Sequence, residues 1–351
     1  MPTRRAVHLL VILTLSLCGL VAVGCGEDEP SSGGSGGSAE STPEGKKIKV
    51  GIVTDIGGLN DRSFNQLANE GLERAKSELG VEGRALTSSK NSDYVPNLSS
   101  LAQQKYDLVI GVGFLMAEAV ETVAKKFPDT NFAIIDYPQA AMKSKPANVD
   151  GLLFKEAEAG YLAGTLAALY TKDKGGDQVI SSVGGQKIPP VDAYIAGFQA
   201  GAKKANPEIK TLNGYSEDFV KQDLCKELAL NQIAEGSQVV FQVAGQCGLG
   251  ALDAAKEKSK QGIGVDADQG YLGSHIITSA LKKVDVAVFN TVKAVQDESF
   301  AGGKDTIFDV KSGGVGLGKV SSEGSKYEEQ VNQVMEQIKS GEITDIPTEV
   351  K

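Results

Sequence analysis

Short apolar runs alternate with longer amphipathic segments from residue 46 onward. Residues 46–54 are polar at their start and apolar through their middle, the pattern of a buried strand. Further strands are predicted near 84–87 and over 106–112 and 131–136. Helices are predicted from Ser63 to about Leu79, near 95–104 and over 117–126. Ser63 and Gln66 have the spacing of a capping box at the start of the first helix.

A second series of the same kind begins with a strand over 149–154. Its further strands are predicted over 178–183, 209–213, 238–244 and 262–266, and its helices over 157–170, 191–206, 219–235 and 249–258. A strand over 276–279, a helix over 284–300, a strand near 315–317 and a helix over 327–340 follow. Strands that alternate with helices of this length predict parallel sheets with right-handed crossovers. Two such series predict an α/β fold with two doubly wound lobes.

Composition narrows the classes of function. The chain has 351 residues, 36 Lys and Arg, 45 Asp and Glu, and a net charge of −9. The length exceeds the size at which single hydrophobic cores stop growing, which favours two lobes. An acidic balance argues against a nucleic-acid partner, because such surfaces need clustered basic residues. The only histidines are His8 and His275, so histidine metal clusters are excluded and no metal site is predicted.

The N-terminus has the features of an export signal. Arg4 and Arg5 precede an apolar run that ends at Ala22-Val-Gly-Cys25, which resembles a bacterial lipobox. A transmembrane helix is the alternative, since the run approaches a membrane-spanning length. The lipobox favours a signal peptide over residues 1–24 and lipidation of Cys25. Residues 25–45 are rich in Gly, Ser and acidic residues, which predicts a flexible tether. The protein is therefore expected on the extracytoplasmic side of the cell membrane, held there by lipid alone.

Two other cysteines lie within the folded region. Outside the cytoplasm Cys225 and Cys247 are candidates for a disulfide. Two buried free thiols are the alternative, because sequence does not show whether their Cα atoms are close enough to bridge.

Parallel sheets bind ligands at the carboxyl ends of their strands, so the residues that follow each predicted strand are candidate site residues. They include acids, glycines and aromatic residues: Asp55, Gly113-Phe114, Asp136-Tyr137, Gly184-Gly185, Tyr215-Ser216, Gly245-Gln246, Asp266 and Lys282. Such a set favours a polar, ring-bearing ligand over a phosphate. The glycines around Gly111 and Gly113 lack the third glycine of a dinucleotide loop, and no Gly-Lys-Ser/Thr loop occurs. No cofactor is predicted, and the chain is not expected to be a transporter's ATPase.

Several motifs resemble those of the basic membrane protein (BMP) family of lipoproteins, the purine nucleoside receptor type. Asp55-Ile-Gly-Gly-Leu-Asn-Asp-Arg-Ser-Phe-Asn65 is similar to its signature. The other matches, in the family's order, begin at Phe132, Ile188, Gly197, Ala244, Gly264, Thr278 and Gly313. They span residues 46 to about 318. The resemblance implies a type I periplasmic-binding-protein fold with a three-strand hinge. It places lobe 1 at 46–155 with a return segment at about 281–308, and lobe 2 at 156–280 with a C-terminal segment at about 309–345.

The resemblance also implies a function and residue roles. Such proteins are monomeric receptors that hand a nucleoside to the permease and ATPase subunits of an ABC importer. Phe64 would stack on the base, Asn65 and Asp136 would bind its edge, and Asp266 with Lys282 would bind the ribose. Ser63, Asp55, Gly113, Tyr215 and Gly245 complete the expected ligand-binding set. The aromatic residue that often follows Gly-Ser in the second lobe is replaced by Gly214-Tyr215-Ser216, so the second stacking residue is shifted or missing.

Other interpretations of these residues remain. Ser63 can simply cap its helix, Phe64 can belong to the core, and Asp136 and Asp266 can form turns. Lys282 can lie on a solvated face, and His275 can be a packed side chain. The alternative class of protein is an extracytoplasmic nucleoside- or sugar-processing hydrolase that uses Asp136 or Asp266. Because no acid–base partner stands at a recognisable spacing, the sequence favours a receptor over an enzyme. A sugar-responsive repressor of similar fold would need a DNA-binding module where this chain has its signal and tether.

Overall fold

The computed structural model describes residues 46–351. The predicted signal peptide, the lipidation site Cys25 and the whole of the predicted tether lie outside the described residues. Across the described part of the chain, no helix is both long enough and apolar enough to cross a membrane.

The first of two sheets has six strands, and all neighbouring strands in it are parallel. The strands are β1 (Lys49–Ile56), β2 (Glu82–Ser88), β3 (Leu108–Val112), β4 (Asn131–Ile135), β5 (Val149–Phe154) and β11 (Lys304–Phe308), in the order β11-β5-β4-β3-β1-β2. Helices α1 (Phe64–Leu79), α2 (Tyr94–Gln103), α3 (Ala117–Lys126) and α8 (Val284–Gln296) pack with it. Gly71 of α1 lets α8 approach closely, because a Cβ atom there would lie 2.4 Å from the Asp285 carbonyl oxygen.

The second sheet repeats this plan. Its strands are β6 (Val179–Gly184), β7 (Lys210–Tyr215), β8 (Val239–Val243), β9 (Gln261–Asp266), β10 (Ile276–Lys282) and β12 (Val315–Leu317), in the order β12-β10-β9-β8-β6-β7. Only β12 is antiparallel to its neighbour. Helices α4 (Glu156–Lys174), α5 (Pro189–Ala205), α6 (Gln222–Ala234), α7 (Gly248–Glu257) and α9 (Glu328–Ser340) complete the α-helices of the described residues. The expected α/β fold with two sheets is confirmed.

The chain passes between the two sheets three times. It leaves the first sheet after β5 and enters α4, returns after β10 through α8, and leaves again between β11 and β12. The strand over 149–154, which begins the second series in the sequence, thus lies in the first sheet. These crossings bring the carboxyl ends of the parallel strands of both sheets to one region.

The sequence missed β11 and extended α8 to Phe300, although the helix ends at Gln296. β11 is an edge strand with one neighbour, and its residue Ile307 is 57 % exposed. A strand with one partner and no buried apolar run leaves little hydrophobic pattern to detect.

The predicted capping box at the start of α1 is also wrong, because the Ser63 side chain makes no cap bond to the helix. The carboxylate of Asp61 accepts from the backbone N–H groups of Ser63, Asn65 and Gln66 instead.

Candidate functional site

A cavity lies where the strand ends of the two sheets meet. It contains about 610 Å³ of space between atoms, including its mouth. Eight of the ten predicted ligand-binding residues line it: Asp55, Phe64, Asn65, Gly113, Asp136, Gly245, Asp266 and Lys282. These residues come from both lobes, so the cavity is a site formed between two sheets. The strand-end rule and the family motifs together predicted these eight residues, and their role in ligand binding stays a prediction.

Two predicted residues do not line the cavity. The Tyr215 hydroxyl turns away and donates to the carboxylate of Asp192 on α5. Ser63 lies behind the cavity wall, where its Oγ donates to Asp266 Oδ2 at 2.7 Å and to the Val265 carbonyl at 3.2 Å. Because Ser63 precedes α1 and Asp266 ends β9, this hydrogen bond joins the two lobes directly. A second bond of this kind runs from Gln269 Nε2 to the Arg62 carbonyl at 3.1 Å.

Aromatic side chains from both lobes face the cavity. Phe64 comes from α1, and Phe219 comes from the loop between β7 and α6. The sequence placed Phe219 in a helix, but α6 begins only at Gln222. Asp218 explains the later start, because its Oδ1 accepts from the N–H groups of Val220 and Lys221 and holds a turn there. The position of Phe219 just after a strand end was the signal that could have identified it.

Among the described residues that line the cavity, Lys282 is the only Lys or Arg, and it is already paired. Its side chain is 2 % exposed, and its Nζ lies 2.7 Å from Asp136 and 2.9 Å from Glu156. Burial lowers the pKa of Lys282, but the surrounding carboxylates more than offset this and its pKa is raised. The sequence paired Lys282 with Asp266 and missed Glu156. The structure instead bonds Asp266 to Ser63 and, at 3.3 Å, to the Tyr194 hydroxyl.

Both aspartates at the strand ends have unusual backbone conformations. Asp136 has φ of 71° and Asp266 has φ of 59°, the left-handed region that residues other than glycine enter infrequently. Such conformations cluster at functional sites, where the surrounding structure holds them in place. Burial is the main cause of the raised pKa of each carboxyl, which reaches about 6 for Asp266. The backbone therefore directs two carboxyl groups into the cavity at some energetic cost.

Asp55 and Asn65 form a hydrogen-bonded pair on the first-lobe side. Asn65 Nδ2 donates to Asp55 Oδ1 at 2.8 Å, while Asn65 Oδ1 is buried and accepts no hydrogen bond. Burial raises the pKa of Asp55 to about 8, so its carboxyl can donate as well as accept at neutral pH. Gly113 has φ of 119°, and a Cβ atom there would lie 2.8 Å from Asp55 Oδ2. Glycine is thus required for this approach.

The chemistry of the cavity follows from these groups. It offers aromatic faces, one unused amide oxygen and several carboxyl groups, while its single ammonium is neutralised by two acids. An anion such as a phosphate would meet net negative charge, whereas an uncharged molecule with N–H and O–H donors would find acceptors.

The two candidate cysteines, Cys225 and Cys247, form a disulfide next to the cavity, with their Cα atoms 5.6 Å apart.

Comparison with known proteins agrees with the family motifs. The family described as "ABC transporter substrate-binding protein PnrA-like" matches residues 48–348. The chain is 37 % identical over 316 residues to an uncharacterised lipoprotein of Pyrococcus abyssi, covering 87 % of this chain and 76 % of that protein. It is 33 % identical over 363 residues to the "ABC transporter nucleoside-binding protein BmpA" of Lactococcus lactis, covering 97 % and 98 % of the two chains.

A solved structure of similar fold is an ABC transporter solute-binding protein from Aeropyrum pernix. It has 29 % sequence identity and a TM-score of 0.78, over 86 % of this chain and 94 % of that chain. A solute-binding protein from Conexibacter woesei is 26 % identical with a TM-score of 0.69, over 86 % and 99 %. The expected type I periplasmic-binding-protein fold is confirmed.

Proposed function

Because the chain belongs to the Bmp family of PnrA-like ABC transporter substrate-binding proteins, as its motifs predict, we propose that it binds a nucleoside between its lobes. A purine nucleoside is the first candidate, and an ABC permease with its ATPase is the proposed recipient. The observation that carries the proposal is the cavity itself. It combines phenyl faces from both lobes with carboxyl groups and a neutralised lysine, which suits a base and a ribose without phosphate.

We assign roles to the residues as follows. Phe64 and Phe219 stack on the base from the two lobes, because each contributes an aromatic side chain to the cavity lining. Asn65 and Asp136 bind the edge of the base, and Asp266 and Lys282 bind the ribose hydroxyls. Asp55 adds a donor or an acceptor beside Asn65, while Gly113 and Gly245 leave room along the wall. Ser63 acts indirectly, through the hydrogen bond that it makes to Asp266 across the lobes.

Calorimetric titration with adenosine, inosine and their free bases tests this function. Phe64→Ala is expected to weaken nucleosides and bases alike by about 1–3 kcal/mol, roughly 5- to 150-fold, because both present a π face. Phe64→Leu, which keeps apolar bulk, controls for packing. Asp266→Ala is compared with Ser63→Ala, which keeps the Asp266 carboxylate. Asp266→Ala is expected to weaken nucleoside binding by about 1.5–3 kcal/mol more than Ser63→Ala does, because only Asp266→Ala removes a charge-assisted hydrogen bond to the ribose. Asp266→Ala and Ser63→Ala are expected to bind the free bases with equal affinity, because the bases carry no ribose.

Ser63→Ala is the matched control because it removes the bond between the lobes but keeps the Asp266 carboxylate. Equal losses in Asp266→Ala and Ser63→Ala with nucleosides would contradict the ribose assignment. A wild-type protein that binds none of the nucleosides would contradict the proposed ligand. Incubation with inosine that releases free hypoxanthine and ribose would favour the hydrolase instead.

We propose the lobe boundaries implied by the family resemblance, with hinges near residues 154–158, 279–282 and 306–310. The three passages of the chain between the sheets support these positions. Closure would bring Ser63 to Asp266 and Gln269 to the Arg62 carbonyl, as in the structure. Small-angle scattering is expected to show a smaller radius of gyration once adenosine saturates the protein. An unchanged radius with demonstrated binding would argue against closure.

We also propose that Cys25 carries the lipid anchor and that residues 1–24 are removed. The lipobox-like residues before Cys25 support this, and the Pyrococcus abyssi relative is itself named a lipoprotein. Palmitate labelling of expressing cells is the measurement, and label that persists in Cys25→Ser would contradict the assignment.

A further inference from the structure

The disulfide joins the starts of two neighbouring helices. Cys225 lies in the first turn of α6, and Cys247 directly precedes α7. Both cysteines are fully buried. Each helix start follows a loop that contributes to the cavity wall, because Phe219 lies three residues before α6 and Gly245 lies two residues before Cys247. The cross-link therefore connects two loops of the proposed ligand site.

Phe219 contacts two neighbouring loops, the one before α7 and the one after β6. The Cys247 N–H donates to the Phe219 carbonyl at 3.0 Å. On its other side the ring lies against Gly185, where a Cβ atom would be only 2.3 Å from the ring. Phe219 itself belongs to neither a helix nor a strand and is only half-buried. The Phe219 backbone is thus held mainly by its hydrogen bond to Cys247, the last residue of the loop before α7.

We propose that the Cys225–Cys247 disulfide is a positioning element for Phe219, so that ligand affinity depends on the disulfide through this aromatic ring. The proposal rests on the proposed function, in which Phe219 contacts the ligand. Without the cross-link, α6 and the loop before it can shift relative to Cys247, and the ring loses its fixed place. If a half-buried loop side chain becomes ordered only when the ligand binds, its loss of conformational entropy lowers the affinity.

Stability alone does not test this inference, because loss of a disulfide lowers the free energy of unfolding wherever the disulfide lies. A double-mutant cycle does. Adenosine affinity is measured for the wild type, Cys225→Ser with Cys247→Ser, Phe219→Ala, and the variant with all three changes. The cysteine variant is expected to bind about 5- to 20-fold more weakly, within the range for one stacking contact. The triple variant is expected to bind no more weakly than Phe219→Ala.

A matched background uses the aromatic residue of the other lobe. In Phe64→Ala the same cysteine changes are expected to weaken binding further, because Phe219 is still present. The inference is overturned if the cysteine variant binds adenosine like the wild type. It is also overturned if the cysteine changes lower adenosine affinity as much in Phe219→Ala as they do in the wild type. Should the serine variant fail to fold, wild type reduced under native conditions replaces it in the same cycle.

Hydrogen exchange on the ligand-free protein separates this inference from the proposed function. Loss of the disulfide is expected to accelerate exchange at the amides of Val220, Lys221 and Cys247 more than at those of α1 in the first lobe. Unchanged exchange at these three amides would overturn the inference even if no nucleoside binds. Faster exchange without nucleoside binding would support the positioning role and contradict the proposed ligand.

Discussion

Lys282→Met is expected to lower the free energy of unfolding by about 3–5 kcal/mol, the range for a buried charge pair that loses one partner. The wild-type ammonium lies between Asp136 and Glu156, and all three side chains are at most 7 % exposed. Methionine fills similar space but leaves two carboxylates without a counter-charge. Urea unfolding followed by circular dichroism at pH 7.5 measures the change.

Two further variants make this prediction specific. Lys293→Met removes an exposed helical ion pair with Asp297, so it is expected to change stability by less than about 0.5 kcal/mol. Adding Glu156→Gln to Lys282→Met is expected to restore part of the loss, since one of the stranded charges is gone. A loss in Lys282→Met no larger than in Lys293→Met would show that the buried triad does not stabilise the fold.

Stability is expected to fall as pH rises from about 5 to 8, and Asp55 is expected to cause the last part of this fall. Burial raises the pKa of Asp55 to about 8, and that of Glu156 to about 7. A carboxyl with a raised folded-state pKa binds more protons in the folded than in the unfolded protein. Its stabilisation is complete below the unfolded pKa and disappears as pH rises through the folded pKa. The slope is at most about 1.4 kcal/mol per pH unit for each such proton.

Asp55→Asn tests which group is responsible. The amide keeps the shape of the carboxyl but does not titrate, so the decline between pH 7 and 8 is expected to flatten. The decline between pH 5 and 7 is expected to persist, because Asp266 and Glu156 still titrate there. Unfolding by urea at four pH values from 5 to 8 provides the comparison. A wild-type curve that is flat above pH 7, or an unchanged decline in Asp55→Asn, would contradict the assignment.

Much of the site was predictable because the ends of parallel strands meet at one edge of a sheet. This rule places Asp55, Gly113 and Asp136 at one edge of the first sheet, and Gly245 and Asp266 at one edge of the second. The three passages of the chain between the sheets bring these two edges together. The rule failed at Tyr215, the last residue of β7, whose hydroxyl turns toward Asp192. Glu156 was not among the candidates either, although it lies only two positions after the end of β5 and begins α4. Neighbouring residues on a chain share a location, but the direction of each side chain depends on what packs against it.

The sequence by itself determined the α/β alternation, the family and the set of strand ends that surround the cavity. Each of these depends on local periodicity, or on motifs within short stretches of chain. Only the tertiary structure decided that Lys282 pairs with Asp136 and Glu156, which lie 146 and 126 positions away. The same holds for Ser63, which bonds to Asp266 across 203 positions instead of capping its own helix. Burial determines these distant partners, because a polar group removed from water must form hydrogen bonds with the polar groups that the fold brings within reach.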